Sequence, residues 1–592
     1  MIRRYFPSLQ LHSFFPLSSV LFLLASIASG TACAIETADL IALSGKVFVA
    51  DCELSLVEAF AVRNGKFSAV GSNEEIIKLR GEQTEVIDLQ GRMVLPGLID
   101  SHVHAAAASM IEFGNTIPDM EAIGDVLQYV RDRATAIEEG EWIVLRQIFI
   151  TRLKEQRFPI KLELDEAAPN HPVAFLTGPD GCLNTLGLQK VGISRDFKNT
   201  KELIVERNAS TGEPNGIVRG ATNHLKFGEQ EPKASFQDRD KRLIELLRDY
   251  NSVGITAAID RAVSREDIEQ YRRLNEGKQL TVRFGLSYRI DATRSHELIS
   301  DEIHDLTVDP LFSGGEFLRI IGVKTFLDGG MLTGSAYMRE PWGISSIYGI
   351  NDPAYRGLRY IDAATLSPLV QLAVENDLQF TAHCVGDGAV HALLDAYELV
   401  SKRTPKVAST HSCVTHSNFM SKEAIDKAAE LDVCVDIQPA WLYLDTRTLV
   451  TQFGYDRLRC FQPLKSLFAA GIIAGGGSDH MQKIGSLRSI NPYHPFLGMW
   501  TSIARSARWY EGRLHPEEAL SRQQAIRLYT WNSAYVLRRE HDLGSVEPGK
   551  IADFIIIDQD LLSCPLDAIK DTKVLATYLG GVKVYEAPLL ED

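Results

Sequence analysis

The sequence predicts an α/β fold: a (β/α)₈ TIM barrel with an inserted cap subdomain and a small β-sandwich composed of both chain ends. Short apolar strands alternate with helical stretches through the middle of the 592-residue chain, which is the pattern of a parallel barrel. Both ends are instead rich in short β signals, and a long gap follows the first barrel strand. The sandwich and the insertion are inferred from these two features.

Residues 1–34 are expected to be an export signal. Arg3 and Arg4 supply a basic start, and an apolar stretch of residues 14–27 follows. Ala32 and Ala34 then stand at the spacing that a signal peptidase reads. The apolar stretch is shorter than the roughly 20 residues that a membrane span needs, which disfavours an uncleaved anchor. We expect a periplasmic or secreted protein, with lipid attachment at Cys33 as the alternative.

Residues 38–95 and 540–588 are predicted to combine into one small β-sandwich. Segments 59–62 and 67–70 flank the pair Asn64 and Gly65, which is typical of a β-hairpin with a two-residue turn. The C-terminal end has the same character in segments 551–558, 574–578 and 582–585. Neither end is long enough to bury a core alone.

The barrel is predicted to occupy residues 96–539, with eight strands at its centre. The predicted strands are 97–102, 255–260, 282–290, 320–326, 378–383, 413–416, 433–438 and 472–479. The gap between the first two is far longer than one crossover helix. Residues 105–240 are therefore expected to contain an insertion, which we predict to be a subdomain above the strand ends.

Composition excludes several classes of protein. The formal net charge of −15 disfavours nucleic acid as a partner, because an acidic surface gains nothing from a phosphate backbone. No apolar run after the signal is long enough to span a membrane. The cysteines form no CxxC pair, and once Cys33 leaves with the signal an odd number remains, so a complete disulfide framework is not expected. A small-molecule substrate is the expected partner, and homo-oligomerisation is left open.

The candidate metal ligands stand where predicted strands end. His102 and His104 are two residues apart, so both can face one ion, and imidazole suits zinc. Taken alone, this pair is weak evidence for a metal site, because two exposed histidines on a half-buried strand would produce it. Other candidates close other strands, however, and barrel enzymes build their sites at these ends. The full candidate set is His102, His104, Lys324, His383, His416 and Asp479.

Several segments resemble one family. LPGLIDSHVH at 95–104 resembles the opening motif of the amidohydrolase superfamily, and residues 544–558 resemble its closing motif. VKTFLDGG at 323–330, HCVGDGA at 383–389 and GSD at 477–479 are similar to segments of the YtcJ-like branch, also called amidohydrolase family 3. That branch includes N-substituted formamide deformylase-like enzymes. The resemblance covers nearly all of the chain after the signal.

The resemblance implies a metal-dependent hydrolase that cleaves a C–N bond other than a peptide bond, in an amide, formamide or cyclic amide. It implies one or two divalent ions, with zinc expected, and a carboxylated Lys324 that bridges them. The alternative for Lys324 is a protonated lysine that binds an anionic group of the substrate. Such a metal lowers the pKa of bound water. Asp479 is the expected general base, which returns the proton to the leaving nitrogen.

Two other functions remain as alternatives: ester or lactone hydrolysis at the same site, and a metal-binding sensor or interaction protein without catalysis. Retention of Asp479 beside a full ligand set argues against the second. The segment GPDGCLN at 178–184 lacks the histidine of many relatives, and Thr415 stands where glutamate is usual, so the substrate stays open. His411 competes with His416, and we favour His416 because it directly follows a short apolar-rich run and because its distance to Gln438 matches the family spacing.

Overall fold

The computed structural model of the protein describes residues 36–146, 148–200, 203–228 and 234–588. The expected export signal at 1–34, with Cys33, lies outside the described residues. Within the described ranges, no helix combines the length and the apolar character needed to cross a membrane.

Eight parallel strands form the barrel, and neighbours in this sheet are also consecutive barrel strands along the chain. Each strand overlaps one of the predicted segments. Their bounds are β1 Leu98–Val103, β2 Ile255–Val263, β3 Arg283–Arg289, β4 Leu318–Phe326, β5 Gln379–Cys384, β6 Cys413–His416, β7 Cys434–Ile437 and β8 Ala474–Gly476. The predicted α/β barrel is confirmed.

The barrel closes where β8 meets β1. The main-chain N of Asp479 donates to the carbonyl of His102 over 2.7 Å, and the N of His104 donates to the carbonyl of His480 over 2.8 Å. A Cβ on Gly477 would lie 2.8 Å from the main-chain N of His102, so glycine is needed for this close approach. The closure therefore brings the two ends that carry His102, His104 and Asp479 side by side.

Amphipathic helices surround the barrel and connect its strands. The helix Phe236–Ser252 precedes β2, and its apolar face, including Leu243, Leu246 and Leu247, is fully buried. The other helices of this layer are Arg265–Glu276, His296–Val308, Pro310–Ser313, Ala363–Glu375, Asp387–Ser401, Lys406–Ser409, Lys422–Glu430, Pro439–Phe453, Leu464–Ala469, Pro495–Ala504, Arg522–Leu528 and Trp531–Val536. Most of them pack against the outside of the barrel, whereas Pro439–Phe453 begins directly after β7 at the carboxyl end of the barrel.

Both chain ends contribute to one sandwich, as predicted. One sheet contains, in order, Lys66–Gly71, Ala59–Arg63, Leu40–Leu43 and Glu85–Asp88; the other contains Val582–Glu586, Val574–Leu579, Phe554–Ile557, Met93–Pro96, Lys46–Phe48 and Leu56–Val57. The ring of Phe554, from the C-terminal end, lies 4.9 Å from that of Phe60. Apolar side chains of both ends thus share one core, which neither end could form alone.

The predicted hairpin in this sandwich is present. Ala59–Arg63 pairs antiparallel with Lys66–Gly71. Asn64 and Gly65 connect them with φ values of +52° and +72°, the left-handed pair that a tight type I′ turn requires.

The insertion after β1 folds as a subdomain with its own sheet. Its five strands run in the order Ile204–Arg207, Pro214–Arg219, Asp180–Leu183, Val173–Thr177 and Ile143–Leu145. Its helices are Ala105–Met110, Ile123–Ala136, Lys161–Ala167, Thr185–Lys190 and Ala221–His224. A separate apolar core lies beneath this sheet, so the insertion is more than a long loop.

Candidate metal centre

The structure brings all six predicted site residues to the carboxyl ends of the barrel strands. They lie at the ends of β1, β4, β5 and β6 and in the segment after β8: His102, His104, Lys324, His383, His416 and Asp479. His102, Lys324, His416 and Asp479 are buried, whereas His104 and His383 are partly exposed. The cluster is therefore accessible from the side of His104 and His383.

Asp479 lies between the two histidines of β1. Its Oδ1 is 3.1 Å from Nε2 of His104 and 3.3 Å from Nε2 of His102. Ligand atoms of these three residues all lie within 4.8 Å of one another. On the other side of His102, Nζ of Lys324 is 3.1 Å from the same Nε2.

His383 and His416 extend the cluster across β5 and β6. Their ring centroids are 4.4 Å apart, and the ring of His416 stacks on that of His102 at 4.9 Å. Nδ1 of His416 lies 2.8 Å from Oε1 of Gln438. Because an amide oxygen accepts, the proton of His416 belongs on Nδ1, which leaves its Nε2 free as a ligand.

His411, the competing histidine, lies outside the cluster. Its ring stacks on Tyr535 with centroids 3.9 Å apart, and its Nδ1 is 2.9 Å from the carbonyl of the same tyrosine. His411 is therefore part of the packing beneath the barrel, and His416 is the histidine that β6 contributes to the site.

Two site residues have a backbone conformation that is rare outside glycine. The φ values are +74° for His416 and +55° for Asp479. Residues held in this region cost free energy and cluster at functional sites. Both lie at the carboxyl ends of barrel strands, where their side chains contact other members of the cluster.

Asp436, which is not among the residues predicted from the sequence, also contacts the site. Its Oδ1 is 3.1 Å from Nδ1 of His102, and its Oδ2 accepts from Nη2 of Arg261 over 3.1 Å. It also accepts from the hydroxyl of Thr415 over 2.9 Å, so Thr415 helps to hold this carboxylate in place. A carboxylate only accepts, so His102 carries its proton on Nδ1 and presents Nε2 as a free ligand.

Burial favours the neutral form of His102, His383 and His416. It lowers the pKa of His102 and of His416, and the nearby charge of Lys324 lowers both further. Burial also lowers the pKa of His383 to about 3 and that of Lys324 to about 8. Neutral imidazoles are the form that binds metal.

The donor set fits a divalent transition metal. Imidazole nitrogens and one carboxylate in a buried cluster are the ligands that zinc takes in catalytic sites. The hydrogen bonds to Asp436 and Gln438 fix the free nitrogens of His102 and His416, as is usual for metal-bound histidines. A second group with the same spacing contains His102, His416 and Asp436.

Asp328 holds the loop after β4 against this site. Its buried carboxyl accepts from the main-chain N of Tyr337, Val385 and Gly386 over 3.0, 3.0 and 2.9 Å. Burial raises the pKa of Asp328 to about 8, while these three bonds oppose the rise. The next residue, Gly329, places its carbonyl 3.4 Å from Nε2 of His383, so the loop also borders the site.

We expect Asp328→Ala to lower the free energy of unfolding by about 2–4 kcal/mol, because it leaves three buried main-chain N–H groups without an acceptor. Urea unfolding followed by circular dichroism measures the change. The control is Asp362→Ala, which removes the exposed N-cap of helix Ala363–Glu375 and should cost about 1 kcal/mol. Equal losses in the two variants would contradict the role given to Asp328.

Comparison with known proteins identifies the family. The sequence profile of the amidohydrolase family matches residues 85–585. An N-substituted formamide deformylase of Arthrobacter pascens is 27% identical over 561 residues, which are 93% of this chain and 98% of that enzyme. YtcJ of Bacillus subtilis (strain 168) is 25% identical over 534 residues, or 89% of this chain and 96% of YtcJ.

Solved structures share the fold. The crystal structure of an uncharacterized metal-dependent hydrolase from Pyrococcus horikoshii OT3 superposes with a TM-score of 0.64 at 19% identity, covering 89% of this chain and 99% of that one. A counterpart from Pyrococcus furiosus gives 0.63 at 20% identity, covering 88% and 100%. The predicted family and its YtcJ-like branch are confirmed: the chain belongs to the metal-dependent amidohydrolase family.

Proposed function

We propose that this amidohydrolase is an exported, zinc-dependent enzyme that hydrolyses the C–N bond of an amide, formamide or cyclic amide. The observation that carries the proposal is the place of Asp479, whose Oδ1 lies 3.1 and 3.3 Å from the ligand nitrogens of His104 and His102. A carboxylate there can both touch an ion and reach a water bound to it. The deformylase relative supports the choice of bond.

The chain's own residues divide the work of hydrolysis. His102, His104, His383 and His416 would hold the zinc ion, which would supply a water of low pKa and a Lewis acid for the substrate carbonyl. Asp479 would accept a proton from the water that attacks the carbonyl carbon. The same carboxyl then gives the proton to the leaving nitrogen as the C–N bond breaks. Water and amide are thus converted to a carboxylic acid and an amine.

Lys324 is proposed to carry a carboxyl group. Its ammonium is fully buried beside His102, and burial lowers its pKa to about 8. A neutral amine adds to carbon dioxide and releases a proton, which yields an anionic carbamate whose oxygens would be metal ligands. The charge then changes from one that repels a metal to one that binds it.

Lys324→Ala is expected to bind fewer metal ions per chain and to lose most of its turnover, with partial rescue by a short carboxylate such as propionate. Metal is measured by elemental analysis, and kcat with and without propionate. If metal content stays at the wild-type level and only KM rises, Lys324 is instead a cation that binds an anionic group of the substrate.

A cavity of about 960 Å³ offers a route for a small substrate. It lies between the sheet of the insertion and the loop after β4, and its walls include Ile217 and Tyr348 as well as Thr333. Thr333 belongs to the same loop as Gly329, which contacts His383. We propose that substrates pass between the insertion and this loop.

The proposal is tested on purified protein that has been analysed for metal and then screened against N-formyl compounds, N-acyl compounds and matched esters. We expect zinc to restore the activity of protein that has been treated with a chelator. We also expect the enzyme to release an amine from at least one class of amide. Cleavage of esters alone would overturn the assignment to C–N bonds in favour of ester or lactone hydrolysis.

Export is tested separately by cell fractionation of the full chain and of a variant that lacks residues 1–34. We expect the full chain, shortened by its signal, outside the cytoplasm and the deletion variant inside it. Cys33→Ser discriminates between the two exported forms, because only a lipid-anchored protein would move from the membrane to the soluble fraction.

A further inference from the structure

Asn491 contacts Asp479 on the side of its carboxylate that faces away from His102 and His104. It is fully buried on the loop after β8, and its Nδ2 donates to the main-chain O of Asp479 over 2.7 Å and to its Oδ2 over 3.3 Å. The other carboxylate oxygen, Oδ1, is the one that faces His102 and His104. The contact thus fixes both the left-handed main chain at Asp479 and the rotation of its carboxylate.

The orientation of the Asn491 amide is itself fixed by two donors. Its Oδ1 accepts from Nη1 of Arg152 over 2.9 Å and from Nε1 of Trp441 over 3.1 Å. Both groups can only donate, so the oxygen must face them and the NH₂ must face Asp479. Trp441 also stacks on His416 at 5.1 Å, which connects this network to a second site residue.

Arg152 comes from the insertion and is firmly held. It lies on the short 3₁₀ turn Ile150–Arg152, and its guanidinium forms two 2.8 Å bonds with Asp445 on the helix Pro439–Phe453. The side chains of Arg152 and Asp445 are 4% and 1% exposed, so this ion pair is shielded from water. Such a bidentate, buried pair fixes a guanidinium more strictly than a surface contact does.

We propose that Asn491 is a positioning residue for Asp479, and that Arg152 makes the insertion a part of this device. The insertion then does more than cover the strand ends. Through Arg152 and Asn491 it fixes the orientation of the Asp479 carboxylate relative to His102 and His104. This inference rests on the proposed role of Asp479 as the base.

Asn491→Asp is the decisive variant. It keeps an acceptor for Arg152 and Trp441, so the insertion stays docked, but it removes the NH₂ that faces Asp479. We expect kcat to fall by about 10- to 100-fold, the usual cost of losing a residue that orients a metal-site group, with KM within about threefold. Metal content should stay near wild type, whereas the thermal unfolding midpoint should fall, because a carboxylate oxygen then faces the main-chain O and the Oδ2 of Asp479. Unchanged kcat would overturn the proposal.

A second measurement separates positioning from general damage. In an Asp479→Asn background, Asn491→Asp should lower kcat by no more than about twofold, because residues that act through one another are not additive. An equal loss in both backgrounds would overturn the proposal, since it would show that Asn491 acts elsewhere. If Asp479→Asn alone keeps full activity, the proposed function fails instead, so the two failures are distinguishable.

Arg152→Lys tests the contribution of the insertion. It keeps the positive charge beside Asp445 but loses the fixed fork that reaches Asn491, so we expect kcat to fall and the loss to be non-additive with Asn491→Asp. Gln156→Ala is the matched control, because Gln156 also joins the insertion to the helix Pro439–Phe453, through Thr448, without touching Asn491. Equal kinetics for the two variants would overturn the role of Arg152.

Discussion

We expect the Asp479→Asn enzyme to keep its metal and to lose turnover by about 10²- to 10⁴-fold, the usual contribution of general-base catalysis. The amide has the size of the carboxylate and retains one oxygen near His102 and His104, but it cannot take a proton from water. The histidines persist as ligands, so metal analysis of the variant should resemble that of the wild type.

Comparison with His102→Ala separates the loss of proton transfer from the loss of metal binding. This variant removes the histidine that both metal-ligand groups share, so metal and activity should disappear together. His411→Ala serves as the control, because that ring stacks on Tyr535 away from the cluster and should change neither. An Asp479→Asn enzyme with intact metal and near-normal turnover would show that another group takes the proton.

The barrel could be predicted because its signal is local. Each strand is a short apolar run followed by a helix, and this pattern survives in any stretch of about 30 residues. The sandwich could be predicted for the opposite reason: the β-rich ends are each too short to be stable, so they had to combine. This inference does not depend on how far apart the two ends are in the sequence, and Phe60 and Phe554, one from each end, do contact each other.

The histidines and Asp479 could be found because each closes a strand, and parallel strands end at one edge. Asp436 and Arg261 carried a weaker signal of the same kind, namely a charge within an apolar strand. Their meaning depends on the partner: Asp436 contacts His102 across 334 positions of the sequence. Nothing local indicates which buried carboxylate meets which ring.

Asn491 and Arg152 illustrate a stricter limit. Both lie in irregular segments, one in the loop after β8 and one in the insertion, where no periodicity predicts direction. Their contact spans 339 positions of the sequence and depends on how the insertion docks. The sequence therefore gives little information about the two irregular segments that hold Asp479 in place. It identifies Asp479 itself more readily, because that residue follows a barrel strand.

Asp436→Ala is expected to affect metal binding and stability together. It removes the acceptor that holds Nδ1 of His102, so metal affinity should fall by about 10- to 100-fold. It also leaves Arg261, which is fully buried, without its counter-charge, and a buried charge that loses its partner costs about 3–5 kcal/mol. Zinc titration against a competing chelator and urea unfolding of metal-free protein measure the two effects.

The double variant Arg261→Met with Asp436→Leu separates these effects. Removing both charges and filling the space with apolar side chains should restore most of the free energy of unfolding, because the desolvation of an ion pair offsets much of its attraction. Metal affinity should stay low, since the ring of His102 still lacks the acceptor that fixes its proton on Nδ1. A double variant that regains both stability and zinc affinity would show that Asp436 serves only to neutralise Arg261. The orientation of the His102 ring would then be set by its stacking on the ring of His416.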